Sequence, residues 1–282
     1  MILVFGKTGQ VASELQHEKN LTLIGRKEAN LLDLDTCKKL IHEYKPDAVI
    51  NAAAYTAVDD AENDRALADA INGIAPTVIA QSCRKLNIPF VHISSDYVFN
   101  GSGSNPKLNS DIPSPINAYG RSKLLGEDGI RNSGCVFAII RTSWIISPYG
   151  NNFVKTMHEM AKKKSTLSIV SDQIGGPTPA KSIAQACLRV AEELIKNPLK
   201  AGTYHLSGTP NTSWAELATK IFQHIESDVK INHILTKDYP TPAMRPLNSR
   251  LDCSAIEQVF NIHRPNWDKS LKNILKQIRE IK

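Results

Sequence analysis

Short, wholly apolar runs alternate with longer segments whose apolar residues recur at helical spacing through the first half of the chain. Runs of the first kind suit strands buried on both faces, and segments of the second kind suit helices laid over them. Together they predict a parallel sheet with helices on both sides. Strands are expected at Ile2–Phe5, Leu21–Ile24, Ala48–Asn51, Phe90–Ser94 and Val136–Arg141. Helices are expected at Asp35–Tyr44, Arg65–Leu86 and Ala118–Arg131, with Pro46 and Pro89 in the short connections that lead into the next strand.

The pattern changes after Trp144. Pro148, Gly150, Gly175, Gly176, Pro177 and Pro179 break the chain into shorter elements, followed by expected helices near Ser182–Lys196, Trp214–His224 and Ser270–Lys282. The fold class read from this is α/β: a doubly wound, Rossmann-like parallel sheet in residues 1–150 and, in residues 151–282, mainly a smaller C-terminal substrate lobe. That lobe is expected over the carboxyl edge of the sheet, where such folds bind ligands. Thr166–Val170 reads as a further strand and is a candidate to return to the main sheet.

Composition narrows the function classes. With 282 residues, 41% hydrophobic and 22% charged, the chain has the make-up of an ordinary globular protein with a sizeable core. No apolar run is long enough to span a bilayer, and the first strand begins at Ile2 with no basic region or cleavage-like site before it, so a cytoplasmic location is expected. The five cysteines, at 37, 83, 135, 187 and 253, form no CxxC pair and are read as reduced, mostly buried thiols. The eight histidines show no HExxH spacing, and no metal site is expected. The formal charge of +6 has one compact basic run, Lys162-Lys163-Lys164, placed where it complements the end of a helix. A mildly basic surface of this kind suits a dinucleotide or a nucleotide sugar better than nucleic acid.

Candidate chemistry falls into two groups, one for a cofactor and one for catalysis. Gly6, Gly9 and Ala12 form a GxxGxxA pattern between the first strand and a helix, the setting of a phosphate-binding turn; Gly6, Thr8, Gly9, Gln10 and Val11 are the expected cofactor contacts there. The second strand ends in Ile24-Gly25-Arg26, where an NAD-specific protein more often has an acidic residue. Arg26 suits the 2′-phosphate of NADP, so NADPH is the expected preference with NADH also usable; the plain alternative is an exposed loop arginine. Asp33 and Leu34 are expected near the adenine, and Ala53, Ala54, Tyr55 and Thr56 after the third strand let backbone approach the cofactor.

Tyr119 and Lys123 stand four residues apart on an expected helix and so share a face. An ammonium beside a phenol favours phenolate and is expected to lower the tyrosine pKa towards neutrality, which makes Tyr119 a proton donor. Ser95, at the carboxyl end of the fourth strand, can donate to a ketone oxygen and completes a serine, tyrosine and lysine set.

These residues, with Phe-Gly-Lys-Thr-Gly-Gln-Val, Asn-Ala-Ala-Ala-Tyr-Thr-Ala-Val-Asp, Ser-Ser-Asp-Tyr-Val-Phe-Asn-Gly, Arg141-Thr-Ser-Trp, Asp172-Gln-Ile-Gly-Gly-Pro-Thr and Arg245-Pro-Leu-Asn-Ser-Arg-Leu-Asp, give the chain a resemblance to the dTDP-4-dehydrorhamnose reductases of the extended short-chain dehydrogenase/reductase superfamily. The resemblance covers nearly the whole chain. It implies that Tyr119 is the proton donor, that Lys123 holds the nicotinamide ribose, that Ser95 binds the reacting carbonyl, and that Asp96 and Trp144 lie near the sugar. Gln173, Arg245 and Asn248 are added as expected polar contacts to the substrate. Ala12 stands where the family commonly has glycine, and Ser95 where it often has threonine. Some family members form a magnesium-linked dimer, and Glu14 matches one acidic position of it; a homodimer is left open and no metal is assigned. The implied reaction is reduction of a nucleotide-linked 4-keto-6-deoxyhexose, forming dTDP-L-rhamnose for surface polysaccharide. Its rivals are a non-catalytic regulatory subunit, like the accessory subunit of methionine adenosyltransferase, and a reductase of another nucleotide ketosugar.

Overall fold

The computed structural model describes residues 1–16 and 18–281. Its main sheet has six parallel strands in the spatial order Leu21–Ile24, Ile2–Phe5, Ala48–Asn51, Phe90–Ser95, Phe137–Thr142, Gly202–His205. Chain order reverses between the first and third strands, which opens a crevice beyond their carboxyl ends. The register aligns Phe5 with Asn51, Asn51 with His92, and Ser95 with Thr142, so the carboxyl ends of these strands lie side by side.

Strand alternation explains the continuous apolar runs. Ile2 and Val4 face a layer containing Val11, Leu15 and the helix Ala180–Lys196, whereas Leu3 and Phe5 face Cys37, Ile41 and the helix Ala75–Leu86. Both faces are covered, so both sets of positions favour apolar residues, and the buried polar ones, such as His92, Ser94 and Arg141, are each hydrogen-bonded.

The expected strand that returns to the sheet is not Thr166–Val170. That segment pairs in parallel with Lys230–Ile234 in a separate two-stranded ribbon, with only Ile169 and Val170 buried. The edge position is taken by Gly202–His205. A Gly-Thr-Tyr-His run has too weak an apolar signal to stand out, because an edge strand has one paired side and needs less apolar surface.

The expected Arg65–Leu86 helix is divided into Arg65–Asp69, a π-turn at Ala70–Ile74 and Ala75–Leu86. Pro76 has no N–H to give to the preceding turn, and the π-turn absorbs that break. Side-chain caps set other boundaries: Asp33 starts Leu34–Tyr44, Asn117 starts Ala118–Asn132, and Ser213 with Glu216 forms a capping box on Trp214–His224. The last helix spans Trp267–Glu280, and the expected Lys282 end lies outside the described residues.

A second core joins Val154, Ile169, Leu217, Phe222, Trp267 and Leu271 beside the carboxyl edge of the sheet. Among the described residues, no helix is long and apolar enough to cross a membrane.

Candidate active site

The helix Ala118–Asn132 is fixed at its start by Asn117, whose Oδ1 accepts from the Gly120 N–H at 2.7 Å and whose Nδ2 donates to the Met244 carbonyl at 2.7 Å. It lies very close to its neighbours. A Cβ at Gly120 would overlap the Tyr97 carbonyl oxygen, and one at Gly126 that of Asn72. This approach sinks the inner face of the helix into the protein, leaving Lys123 at 2% exposure. One turn later Glu127 is fully buried and accepts from Arg141 Nε at 2.9 Å and Nη2 at 2.6 Å, from Ser94 Oγ at 2.6 Å and from Arg131 at 2.6 Å. Burial pushes the Glu127 carboxyl up, but the hydrogen bonds and charge of Arg141 outweigh it and hold the group below the usual carboxylate range.

Lys123 donates from Nζ to the Ile93 carbonyl at 2.7 Å and lies 3.2 Å from His92 Nε2. Burial lowers its pKa to about 8, with Glu127 acting in the opposite sense. Tyr119 is half-buried and meets Tyr97 edge to face at 5.7 Å. Burial pushes the Tyr119 phenol up to about 12; a hydrogen bond with Ser95 opposes this and the Asp96 charge adds to it. The expected lowering of Tyr119 by Lys123 is therefore absent from the free protein. Desolvation dominates the phenol, and the lysine head is held by Ile93 and His92.

Ser95 is buried at the end of the fourth strand, where Oγ donates to Asp96 Oδ1 at 3.1 Å and accepts from the Tyr97 N–H at 3.2 Å. Asp96 is 3% exposed, and burial raises its pKa to about 7 against hydrogen bonds from Ser249 and Ser95.

A cleft of about 660 Å³ connects these groups to the first glycine turn. Of the sequence-predicted residues, Gly6, Thr8, Gly9, Gln10, Val11, Arg26, Ala53, Ala54, Thr56, Ser95, Asp96, Tyr119, Lys123 and Trp144 line it. Gly6 has φ +115, and a Cβ there would meet the Ala52 carbonyl carbon at 3.2 Å and the Ala53 nitrogen at 3.3 Å, so the conformation favours glycine and the space beside it is tight.

Six expected contacts lie off the lining and have other partners. Asp33 caps its helix through the Thr36 N–H at 3.0 Å and hydroxyl at 2.7 Å, and Leu34 opens that helix; Asn30 and Leu31 line the cleft in their place. Tyr55 is held at its backbone N–H and carbonyl by Asn72, each at 2.9 Å. Arg245 makes a two-pronged ion pair with Asp59 at 3.0 and 2.7 Å. Asn248 donates to the Asn105 carbonyl at 2.8 Å and accepts from Arg250 at 3.0 Å. Gln173 is buried, and its Oε1 accepts from Trp214 Nε1 at 3.1 Å.

Trp214, the loop residues Gly150, Asn151 and Asn152, and Phe153 at the start of the next helix line the cleft without having been anticipated. The Gly-Asn-Asn run at 150–152 is a turn signal that marked the loop, but nothing in the spacing of Trp214 separates it from a core aromatic.

The family model described as the RmlD substrate binding domain matches residues 1–280. The dTDP-4-dehydrorhamnose reductase of Aggregatibacter actinomycetemcomitans is 40% identical over 288 residues, 97% of this chain and 97% of the relative. That of Escherichia coli K12 is 36% identical, over 98% of this chain and 97% of the relative. Among solved structures, a dTDP-4-dehydrorhamnose reductase from Clostridium acetobutylicum is similar with a TM-score of 0.91 and 34% identity over 99% of each chain. The dTDP-4-dehydrorhamnose reductase of Bacillus anthracis, in complex with NADP, gives a TM-score of 0.90 and 32% identity over 98% of each chain. Because these matches run end to end through both cores, the chain belongs to the dTDP-4-dehydrorhamnose reductase family of the extended short-chain dehydrogenases/reductases.

Proposed function

We propose that this protein reduces the C4 ketone of dTDP-4-dehydro-L-rhamnose to give dTDP-L-rhamnose, with NADPH preferred and NADH also accepted. The observation that carries this is one cleft with the Gly6 turn at one end and Ser95, Tyr119 and Lys123 further along it. The residues present fit a dinucleotide. Gly6, with its left-handed φ, lets the first turn pack against the Ala52–Ala53 backbone and line the cleft, Ala53 and Ala54 keep the facing wall low, and Arg26 offers a guanidinium at the end of the second strand. When bound, the reduced nicotinamide supplies the hydride.

The protein's own groups handle the oxygen. Ser95 turns its single hydroxyl proton from Asp96 to the ketone oxygen, and Tyr119, kept as a phenol by desolvation, gives its proton to that oxygen as negative charge develops. Lys123 orients the cofactor ribose and, when protonated, offsets the charge left on the phenolate. The second core, with Trp214 at its edge, serves as the substrate lobe, and a soluble nucleotide-linked substrate suits a cytoplasmic location. The test is turnover with NADPH against a panel of nucleotide 4-ketosugars. Preferred use of the dTDP-linked 4-keto-6-deoxyhexose is the expected result. A stable heteromeric partner with no ketosugar reduction would point to the regulatory reading instead.

A further inference from the structure

His92 is a fully buried imidazole between two polar side chains, and the steps proposed above do not use it. Its Nδ1 lies 3.2 Å from Asn51 Nδ2, and its Nε2 lies 3.2 Å from Lys123 Nζ. The direction of these bonds is set from outside the pair. The Ala53 backbone N–H can only donate, and it points at Asn51 Oδ1 at 3.1 Å. The amide is thereby oriented with its NH₂ towards His92, so Nδ1 must accept. A neutral imidazole has one proton, which leaves it on Nε2, facing Lys123.

Lys123 then has a choice with unequal consequences. As an amine it accepts from His92 Nε2–H, donates one N–H to the Ile93 carbonyl and keeps the other for the cleft it lines. As an ammonium it has no lone pair, and one of its protons opposes the imidazole proton. We propose that His92 is a positioning residue that carries its proton on Nε2 and, through that N–H, orients Lys123 and disfavours its ammonium form. Through Asn51 the same chain joins Lys123 to the Ala52–Ala53 backbone that packs on Gly6, so the cofactor wall and the lysine head are one hydrogen-bonded unit.

The surrounding groups act in known senses. Glu127, on the lysine's own helix, favours the ammonium and is itself paired with Arg141 of the fifth strand. Tyr119, on the same helix, and Asp96, beyond the fourth strand, border the same cleft; the third strand contributes only the neutral Asn51 amide. Burial lowers Lys123 and holds His92 well below the ordinary imidazole range, so a charged ring does not compete with this arrangement.

The proposal rests on the reading of Lys123 as a partner of Tyr119 and the cofactor, but its first test needs no turnover. In protein with ¹⁵N-labelled histidine, the imidazole tautomer of His92 is read by long-range ¹H–¹⁵N correlation from about pH 6 to about pH 9. The expected pattern is Nε2–H with a bare Nδ1 throughout; an Nδ1–H ring or an imidazolium overturns the proposal. The second test compares kcat against pH for the parent, His92→Asn and His92→Gln. Asparagine does not reach Lys123, whereas glutamine places an N–H near the Nε2 position. His92→Asn is expected to raise the apparent pKa of the limb that reports Lys123 by about one unit, a tenfold change in proton affinity, with glutamine closer to the parent. An unmoved limb, or equal shifts in both variants, overturns the proposal. Turnover lost from the ketosugar panel with the Nε2–H tautomer intact would instead count against the proposed function.

Discussion

Trp144 and Trp214 stack with ring centroids 3.6 Å apart and planes 13° from parallel. One follows the fifth strand of the main sheet and the other begins a helix of the second core, so the pair is where the two halves of the cleft meet. Trp144 takes φ +47, a conformation unfavourable for a large side chain, and Gly175 lies so close that a Cβ there would meet the indole at 2.8 Å. Gln173 holds Trp214 from behind through its Nε1–H. We expect Trp144→Phe and Trp214→Leu each to raise KM for the nucleotide sugar by several-fold while kcat falls less. Thermal denaturation beside steady-state kinetics separates this from a core role, for which the melting temperature would drop and KM per folded molecule would stay constant.

Tyr119→Phe removes the proposed acid and almost no volume. Single-turnover reduction should slow by about 10²–10⁴-fold, with cofactor affinity retained. Near-parental rates would assign the proton to another group.

Arg26 is exposed and lines the cleft, whereas the nearest carboxylate along the chain, Glu28, is engaged by the Gly25 N–H at 3.0 Å and by Lys7 at 3.5 Å. The guanidinium is therefore the proposed partner of a 2′-phosphate. The ratio of kcat/KM for NADPH over NADH should exceed one and fall by up to about tenfold in Arg26→Ala, since solvent and salt weaken an exposed pairing. A parent that favours NADH, or an unchanged ratio, would make Arg26 a surface residue.

Asp96 gives a pH dependence of fixed sign. Its folded pKa, about 7, lies above the ordinary value of 3.8, because burial disfavours the carboxylate. The folded state therefore binds the proton more tightly than the unfolded chain. The stability this contributes is full below the unfolded pKa and is lost as pH rises to about 7. Asp96→Asn should melt close to the parent near pH 4 and gain stability, on the order of a few kcal/mol, above pH 7. Melting curves across that range check it; a gain already complete at pH 4 would contradict it.

Glu127→Ala strips the fully buried carboxylate from Arg141, which is itself 1% exposed. An uncompensated buried guanidinium should cost about 3–5 kcal/mol in urea unfolding, whereas Glu127→Gln with Arg141→Met should lose less, because no charge is then stranded. Equal losses in the two proteins would mean that the ion pair is not the source of the effect.

The alternation of short apolar runs with helical patterns determined the first five strands, the helices Leu34–Tyr44 and Ala118–Asn132 between them, and hence the doubly wound class, but not the π-turn that divides the expected helix Arg65–Leu86. A strand covered on both faces favours apolar residues wherever no buried partner is supplied, and that constraint is written locally. Gly6 and the Tyr119–Lys123 spacing were legible for the same reason: one is a backbone requirement of a single turn, the other a property of helical pitch. Tertiary structure alone decided that Gly202–His205 rather than Thr166–Val170 fills the sheet edge, because an edge strand needs little apolar surface and leaves a weak trace. It also decided that Asp33, Gln173, Arg245 and Asn248 hold other side chains or backbone and lie off the cleft lining. Polar residues in one motif-rich sequence look alike, and only the position of a partner remote in the chain, such as Asp59 for Arg245, fixes where each one turns. Lys123 shows the same limit, since its spacing from Tyr119 is local while its partners, His92 and the Ile93 carbonyl, come from a strand brought beneath it by folding.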